Sequence, residues 1–464
     1  YGMEVRLMSV NSFEGYYMSW KPEINKSDKA LYRSLAAKLE SDIKNGIIMP
    51  GTKLPPQREL ADFLDLNLST VSKAFKLCEL KGLISATAGS GTLVAYDALA
   101  RDHLLTDADN IIDMGSISPD NSANELILQQ LKCMLNEQGA EKWFSCNRLG
   151  ESEWQKEAAV MLMKKCGYET CREKILFAAG GQNALVAVLS GIFSHGDKIG
   201  VDNHIYPGIK TAADMLGIQL IPIRPSGGSM DADALMYYCK KEDLKGVYLI
   251  PDCQDPTTNT MSFAQRKIIA SVIKEQKIWL IEDASYSLMN DRPISPVASF
   301  IPEQSVYITS LSKSLAPGLQ IGYASVPLSV KSSISLALTS LNVSVSPLMA
   351  ELSARLIVSG QIDIIIREHK DKTKERNELF NRYFPSNIYR GNENSIFRWL
   401  HLKGSIKGSY FEQAALDKGV QVYAAERFAV GNTAAERAVR VAICAPESVE
   451  ELDEGLKILH DIMK

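Results

Sequence analysis

The chain has 464 residues, of which 45% are hydrophobic and 23% are charged, and its formal net charge is −4. This length is expected to hold two or three domains, and the composition is ordinary for a soluble globular protein. The near balance of charges excludes a protein that is polycationic over its whole surface. The longest apolar run, residues 184–193, is too short to span a membrane, and no signal peptide is visible, so no membrane partner is expected.

The cysteines and histidines bear on the compartment and on metal binding. The eight cysteines and six histidines are scattered along the chain, without a Cys-x-x-Cys pair or a His/Cys cluster. This spacing predicts reduced thiols in a cytoplasmic protein, and it predicts no metal site.

The beginning of the chain is predicted to be a separate and more basic module. Between residues 18 and 96 there are 11 Lys and Arg against 8 Asp and Glu, which leaves a net charge of −7 for the rest of the chain. Leucine and isoleucine recur at helical spacing over residues 31–43 and predict a first helix. The Pro55-Pro56 pair then opens a second helix, where a missing N–H group costs little.

A third helix is predicted to begin at the capping residue Asn67 and to have two distinct faces. Val71 and Phe75 face inward in this prediction, while hydroxyl and lysine side chains face outward. Such a short helix is typical of a recognition helix in the major groove of DNA. Two strands joined by a glycine-rich turn at residues 88–91 are predicted to follow it. The predicted outward-facing residues are Ser69, Thr70, Ser72, Lys73 and Lys76.

This module resembles the winged helix-turn-helix domain of the GntR family of bacterial regulators. The resemblance rests on residues 53–84, followed at the expected spacing by residues 89–94. It implies that the module binds a double-stranded DNA operator, although Ser90 replaces the arginine that the family usually has in its wing. A helical protein-interaction domain is the alternative. The residues implied to contact DNA are Arg58, Ser69, Thr70, Ser72, Lys73, Gly89 and Gly91.

Residues 97–110 are polar and lack a strong pattern, so they are predicted to form a linker before an α/β domain at residues 111–464. Apolar strands alternate with helical patterns there, as expected for a mostly parallel sheet covered by helices. Ligands bind outside the carboxyl ends of such strands. The predicted strands are 174–178, 198–202, 219–223, 246–250, 278–282 and 304–308.

Unusual residues follow several of these strands. Gly180 and Gly181 lie between a strand and a helix, where free backbone N–H groups would hold a phosphate. Tyr206 follows the next strand, where its ring could stack on a flat ligand. Asp283 ends a buried strand and Arg440 lies inside an apolar one, so each charge needs a partner.

Lys313 lies among small hydroxyl-bearing residues in the segment 309–323, after an apolar run and before a Pro-Gly turn. Partial burial there would lower the pKa of its amine, which must be deprotonated to form an imine. The neighbouring serines could donate hydrogen bonds to a phosphate. An ordinary lysine on a surface loop is the alternative.

Taken together and in this order, these features resemble the fold-type I family of pyridoxal-phosphate enzymes, the aspartate aminotransferase fold. The resemblance covers residues 111–464, and residues 310–323 are its most specific part. Joined to the first module, the chain resembles the MocR subfamily of regulators, in which an aminotransferase-like domain senses effectors. The resemblance implies a large mostly parallel sheet, a smaller C-terminal α+β subdomain from about residue 345, pyridoxal 5'-phosphate as cofactor, and a homodimer.

The same resemblance implies a role for individual residues. Lys313 would form the internal aldimine, Asp283 would face the pyridine nitrogen, and Arg440 would bind the α-carboxylate of an effector. Tyr206 would stack on the cofactor ring, and Tyr286 would hydrogen-bond its phenolic oxygen. The alternatives are an ion-paired or capping acid at 283, a core tyrosine at 206 and a structural salt bridge at 440. The residues implied to hold the phosphate are Gly181, Gln182, Ser310 and Ser312.

Two positions depart from the family pattern. Gln320 stands where the family usually has an arginine, and the lost charge-assisted contact is expected to weaken phosphate binding by ~1.5–3 kcal/mol. Asp255 stands where the family has an asparagine that faces the phenolic oxygen. A carboxylate there repels a phenolate unless one of them is protonated or Asp255 turns away. Both departures disfavour efficient transamination.

The leading hypothesis is a cytoplasmic transcriptional regulator that binds pyridoxal phosphate at Lys313. It would respond to a small-molecule amine, to an amino acid or to the cofactor itself. The second hypothesis is an active aminotransferase that carries a DNA-binding module, with little turnover expected. The third is a scaffold that has lost the cofactor and regulates through dimer geometry alone.

Overall fold

The structure is a computed structural model of the chain. It divides the chain into two compact units, Tyr1–Asp109 and Asn110–Lys464. The predicted linker at residues 97–110 lies outside the described residues. The structure describes residues 18–24, 30–44, 47–48, 52–81, 83–87, 91–95, 111–145, 152–404, 406–431 and 433–464.

Three helices followed by a two-stranded antiparallel sheet make up the described part of the first unit, in agreement with the predicted order. In the sheet, Ile84 pairs with Val94 and Thr87 pairs with Gly91. The helices are α1 (Leu31–Lys44), α2 (Gln57–Leu64) and α3 (Leu68–Leu80), and the strands are β1 (Ile84–Thr87) and β2 (Gly91–Val94).

The first unit has its own hydrophobic core, which fixes the orientation of α3. Val71 and Phe75 of α3 are 0% and 3% exposed and belong to one buried cluster with Leu35 and Leu39 of α1. The prediction that these two side chains of α3 face inward is therefore confirmed. Burial of this apolar face leaves the opposite face of the helix to solvent.

Within the described residues of both units, no helix is both long enough and apolar enough to cross a membrane.

The second unit contains the remaining strands and helices. Its strands are β3 (Ile112–Asp113), β4 (Ile175–Ala178), β5 (Lys198–Asp202), β6 (Gln219–Ile223), β7 (Pro225–Ser226), β8 (Ser229–Met230), β9 (Gly246–Leu249), β10 (Trp279–Asp283), β11 (Ser305–Ser310), β12 (Gly322–Ser325), β13 (Tyr389–Arg390), β14 (Phe397–His401), β15 (Val420–Gln421), β16 (Tyr423–Ala424) and β17 (Ala438–Ala442). Its helices are α4 (Asn124–Leu135), α5 (Glu153–Lys165), α6 (Gly181–Ile192), α7 (Pro207–Leu216), α8 (Ala232–Glu242), α9 (Phe263–Gln276), α10 (Leu328–Leu341), α11 (Pro347–Val358), α12 (Gln361–Tyr383), α13 (Gly408–Leu416) and α14 (Val449–Met463).

A seven-stranded sheet with the order β4-β12-β11-β10-β9-β5-β6 forms the centre of the second unit. Only β12 runs antiparallel to its neighbours in this sheet, β11 and β4. The carboxyl ends of the other six strands therefore meet at one edge. The predicted mostly parallel sheet is confirmed, and each of the six predicted strands matches an observed one.

The central sheet is buried on both faces. In β11, Val306 and Ile308 belong to one hydrophobic cluster, whereas Tyr307 between them belongs to the other. Alternate side chains of a strand point to opposite faces of its sheet. A continuous apolar strand is therefore the pattern that a sheet covered by helices on both sides requires.

A second sheet lies in the C-terminal part of the chain, with the order β13-β14-β17-β16 and antiparallel pairing. The segment at the start of the second unit joins this region rather than the central sheet. Its strand β3 pairs in parallel with β15, and the Met114 carbonyl accepts a hydrogen bond from Ala442 N–H. The sequence did not predict this long-range pairing.

Candidate functional site

A cavity of about 260 Å³ opens at the edge of the central sheet where β4, β10 and β11 end. All ten of the residues that the sequence analysis assigns to a cofactor line it together. The lining residues are Ala179, Gly180, Gly181, Gln182, Leu185, Tyr206, Ile250, Asp255, Asp283, Ser285, Tyr286, Ser310, Ser312, Lys313, Pro317 and Gln320.

The glycine turn before α6 forms one wall of the cavity. Gly180 has φ +88° and lies between β4 and α6, which begins at Gly181 without a side-chain cap. The N–H groups at the N-terminus of α6 are therefore available to bind an anion. The helix dipole also favours a negative charge at this position. A Cβ atom at Gly322 of the neighbouring β12 would come within 2.8 Å of the Gly180 carbonyl carbon. Glycine is required there for this close approach.

Hydroxyl groups face the same wall from β11 and the loop after it. Ser310 is the last residue of β11 and is buried, and Ser312 and Ser285 also line the cavity. A Cβ atom at Gly181 would lie 3.5 Å from the Ser310 hydroxyl oxygen, so this side chain lies beside the start of α6. The wall thus combines backbone N–H donors with hydroxyl donors, the groups that bind phosphate.

Lys313 occupies the loop that follows β11, and its side chain is partly buried. Its Nζ donates a hydrogen bond of 2.7 Å to the Ile117 carbonyl. Burial is the main cause that lowers the pKa of the amine to about 8, and the charge of Arg440 lowers it further. Asp255 and Asp283 partly oppose this shift. The neutral form of the amine is therefore far more populated at pH 7 than it is for an ordinary lysine.

Asp283 is held at the end of β10 by three hydrogen bonds. Tyr248 O–H donates to Oδ2 at 2.9 Å, and the Ser285 N–H and O–H donate to Oδ1 at 3.0 and 2.6 Å. Burial raises the pKa of this carboxyl, and the hydrogen bonds from Ser285 oppose the rise.

Sequence reasoning did not single out Tyr248 or Ser285. A serine two residues after an acid at a strand end was a usable signal for the latter.

Two tyrosines and Asp255 complete the cavity. Tyr206 immediately precedes α7, and a side chain at Gly208 would collide with its ring. Tyr286 O–H donates a hydrogen bond of 3.1 Å to Asp255 Oδ2. Burial raises the pKa of the Tyr206 hydroxyl to about 12, so this phenol is neutral at physiological pH.

Arg440 of β17 is the cation that the sequence predicted to need an anion. Its Nη1 lies 2.6 Å from Asp255 Oδ1, and its Nη2 donates to the Gly115 carbonyl at 2.8 Å. The guanidinium carbon is 4.8 Å from the ring centre of Phe428 and 5.4 Å from that of Tyr423. The anion beside Arg440 is therefore supplied by the protein itself.

Gln320 lines the cavity from the turn before β12. It has φ +51°, and its Nε2 donates a hydrogen bond of 3.3 Å to the Pro317 carbonyl. The side chain is exposed and carries no charge. This wall therefore lacks the cation that an arginine at position 320 would supply.

In the first unit, the predicted DNA-contacting residues occupy the faces of α2 and α3 that the core leaves open. Arg58, Ser69 and Lys73 are exposed, and Thr70 is partly exposed. Ser72 O–H donates a hydrogen bond of 2.7 Å to Gln57 Oε1, so this hydroxyl links α3 to α2. Gly91 begins β2 with φ +89°. Gly89 lies outside the described residues.

The fold and the cavity define a class: a helix-turn-helix unit followed by a fold-type I α/β domain with a lysine in its cavity. The sequence matches the aminotransferase class I and II family over residues 109–459 and the gntR family of bacterial regulatory proteins over residues 31–94. The chain thus belongs to the aminotransferase class I and II family of pyridoxal-phosphate-dependent enzymes, and its fused GntR-type head gives it the MocR architecture.

Two regulators are similar to this chain over most of its length. The uncharacterized HTH-type transcriptional regulator YdeF of Bacillus subtilis is 54% identical, covering 98% of this chain and 99% of that protein. The uncharacterized HTH-type transcriptional regulator YdcR of Escherichia coli is 24% identical, covering 86% and 92%. An archaeal alanine:glyoxylate aminotransferase structure superposes with a TM-score of 0.71 at 19% identity, covering 78% of this chain and 95% of that one. This structural likeness shows the aminotransferase fold.

Proposed function

We propose that this protein is a transcriptional regulator that binds pyridoxal phosphate at Lys313 and changes its binding to operator DNA in response to a primary amine or to the cofactor itself. The observation that carries the proposal is a partly buried lysine, its pKa lowered to about 8, in one cavity with the free N-terminus of α6. The experiment is to measure operator binding with pyridoxal phosphate and amines added in turn. An affinity unchanged by every addition would contradict the proposal.

The cavity walls fit this cofactor. Pyridoxal phosphate, when bound, supplies an aldehyde that condenses reversibly with primary amines and a ring that withdraws electrons. In the proposal, the N–H groups of Gly181 and Gln182 bind the phosphate. The hydroxyls of Ser310 and Ser312 add further donors.

The remaining side chains would orient the ring. Tyr206 would stack on one face, Asp283 would keep the pyridine nitrogen protonated, and Tyr286 would turn its hydroxyl from Asp255 to the phenolic oxygen. The three hydrogen bonds already made to Asp283 support its role, because they hold the carboxylate in one orientation.

The missing cation at Gln320 supports sensing over catalysis. A weaker phosphate site releases its ligand within a working concentration range, as a sensor must. An active aminotransferase is the second candidate, and the intact set of Lys313, Asp283 and Arg440 favours it. We place it second because both Gln320 and Asp255 depart from the enzyme pattern.

The lowered pKa of Lys313 predicts how cofactor uptake depends on pH. Only the neutral amine attacks an aldehyde, so the rate of uptake is expected to rise with pH up to about 8 and then to level off. An unperturbed lysine would keep accelerating to about pH 10. The measurement is the rate of the absorbance change after mixing with pyridoxal phosphate, with a free lysine derivative as the reference amine. A rate that rises in parallel with that reference contradicts the prediction.

We propose that the first unit binds the operator through Arg58 and the exposed side of α3. We also propose that a homodimer presents two copies of this unit to repeated half-sites. Exposed apolar side chains on the second unit support an interface between copies. Among them, Leu336 and Val343 are 70% and 77% exposed. A chromosomal target also supports a cytoplasmic location.

A contact between Lys73 and a DNA phosphate predicts a measurable effect of salt on operator binding. Lys73→Ala is expected to weaken operator binding and to reduce the slope of log affinity against log salt by about 1, because one phosphate contact is lost. Fluorescence anisotropy with an operator duplex selected from a random pool measures both quantities. Lys372→Ala, which removes an exposed lysine from the second unit, is the matched control. An equal slope for both variants would exclude Lys73 from the DNA interface.

A further inference from the structure

The ion pair between Asp255 and Arg440 is buried, and each oxygen of its carboxylate already accepts a hydrogen bond. Asp255 is 1% exposed and Arg440 is 5% exposed. One oxygen of Asp255 receives Arg440 Nη1 at 2.6 Å, and the other receives Tyr286 O–H at 3.1 Å. Each carboxylate oxygen therefore has a strong donor, which is what a buried anion requires.

The guanidinium of Arg440 is engaged on the opposite side as well. Its Nη2 donates to the Gly115 carbonyl at 2.8 Å, and aromatic rings surround its plane. Its Nε has no hydrogen-bond partner among the described residues and is buried away from solvent. To take the place that Asp255 holds on Nη1, a second carboxylate would have to displace it.

The cavity lining indicates what an incoming ligand meets. Among the described residues, the lining includes Asp255, Tyr286 and Lys313 but does not include Arg440. A carboxylate that enters beside Lys313 would therefore face the carboxylate of Asp255 rather than a free guanidinium. Like charges at short range repel strongly in a partly dehydrated site. Displacing Asp255 instead would leave a buried anion without its partner.

We propose that Asp255 is a specificity-determining residue that serves Arg440 as an internal carboxylate, so that the site accepts primary amines without a carboxylate on the amine-bearing carbon and rejects α-amino acids. The apolar lining residues Leu185 and Ile250 suit an alkyl or arylalkyl group. This inference rests on the proposed function, because it concerns an amine that binds beside Lys313.

The test compares matched pairs of compounds on the full-length protein loaded with pyridoxal phosphate. Phenylethylamine is paired with phenylalanine, and cadaverine with lysine, so that the members of each pair differ by one carboxylate. Binding is read from the change in cofactor absorbance. Each affinity is divided by that of the same compound for free pyridoxal phosphate in the same buffer, which removes differences in intrinsic amine reactivity. The wild type is expected to prefer the amine of each pair by about tenfold or more.

Variants test whether the ion pair between Asp255 and Arg440 causes the preference for amines over amino acids. Asp255→Asn frees Arg440 and is expected to improve binding of the amino acids by about tenfold to a hundredfold. The double variant D255N/R440Q should lose that gain, whereas D255E keeps a carboxylate and should keep the preference of the wild type. Circular dichroism of each variant verifies folding, and the ratio measured on the wild type is a test that needs no variant.

The possible outcomes distinguish this inference from the proposed function on which it rests. Normal cofactor uptake with equal affinity for amines and amino acids overturns the inference and leaves the proposed function intact. So does a preference that Asp255→Asn leaves unchanged. A protein that takes up no pyridoxal phosphate, or that binds neither class of compound, overturns the amine-sensing function and this inference with it.

Discussion

Lys313→Ala is expected to abolish covalent attachment of pyridoxal phosphate to the protein. In the wild type, borohydride reduction followed by peptide mapping should place a pyridoxyl group on the peptide that contains residue 313. The variant should carry none, because its cavity offers no other lysine amine: among the described lining residues, Lys313 is the only lysine. Response of operator binding to amines should disappear with the adduct.

Two controls make this result specific. Lys372→Ala removes an exposed lysine that pairs with Glu375 and should leave the adduct in place. Binding to operator DNA without effector should persist in Lys313→Ala, because the helix-turn-helix unit has a core of its own. A pyridoxyl group found on another lysine in the wild type would refute the assignment of the site.

Arg440→Ala is expected to destabilise the second unit by about 3–5 kcal/mol, because it leaves the carboxylate of Asp255 buried without its cation. The free energy of unfolding is measured by urea titration of the full chain in the absence of cofactor, followed by circular dichroism. Since two units can unfold separately, the transition of the larger unit is the one to analyse.

The double variant D255N/R440Q tests the electrostatic origin of that loss. It removes both charges at once, so its destabilisation should be clearly smaller than that of Arg440→Ala. Lys372→Ala should change the stability by less than about 0.5 kcal/mol, as surface substitutions do. Equal losses for the single and the double variant would assign the effect to packing among the aromatic rings.

The central sheet was largely predictable from local pattern. The strands at residues 198–202 and 219–223 were predicted with the bounds that the structure has. Each is a short apolar run followed by a turn and a helix, and a parallel sheet brings the carboxyl ends of such strands to one edge. The convergence of Gly181, Asp283 and Lys313 on one cavity follows from that rule.

What the sequence did not predict depends on residues far apart in the chain. It indicated that Arg440 needs an anion and that Asp255 is unusual, but these positions are 185 residues apart and no local pattern links them. The same holds for the Ile117 carbonyl, which reaches Lys313 across 196 residues. Tyr248 is similar, since a tyrosine inside an apolar strand does not reveal that its hydroxyl reaches an acid on the adjacent strand.

The hydrogen bond from Lys313 to Ile117 ties the cavity to a distant part of the second unit. Ile117 belongs to the short stretch after β3, and in the chain this stretch begins only a few residues beyond the boundary between the two units. One amine cannot serve both this carbonyl and a ligand. Any molecule that engages Lys313 therefore removes one of the long-range hydrogen bonds that hold this stretch in place.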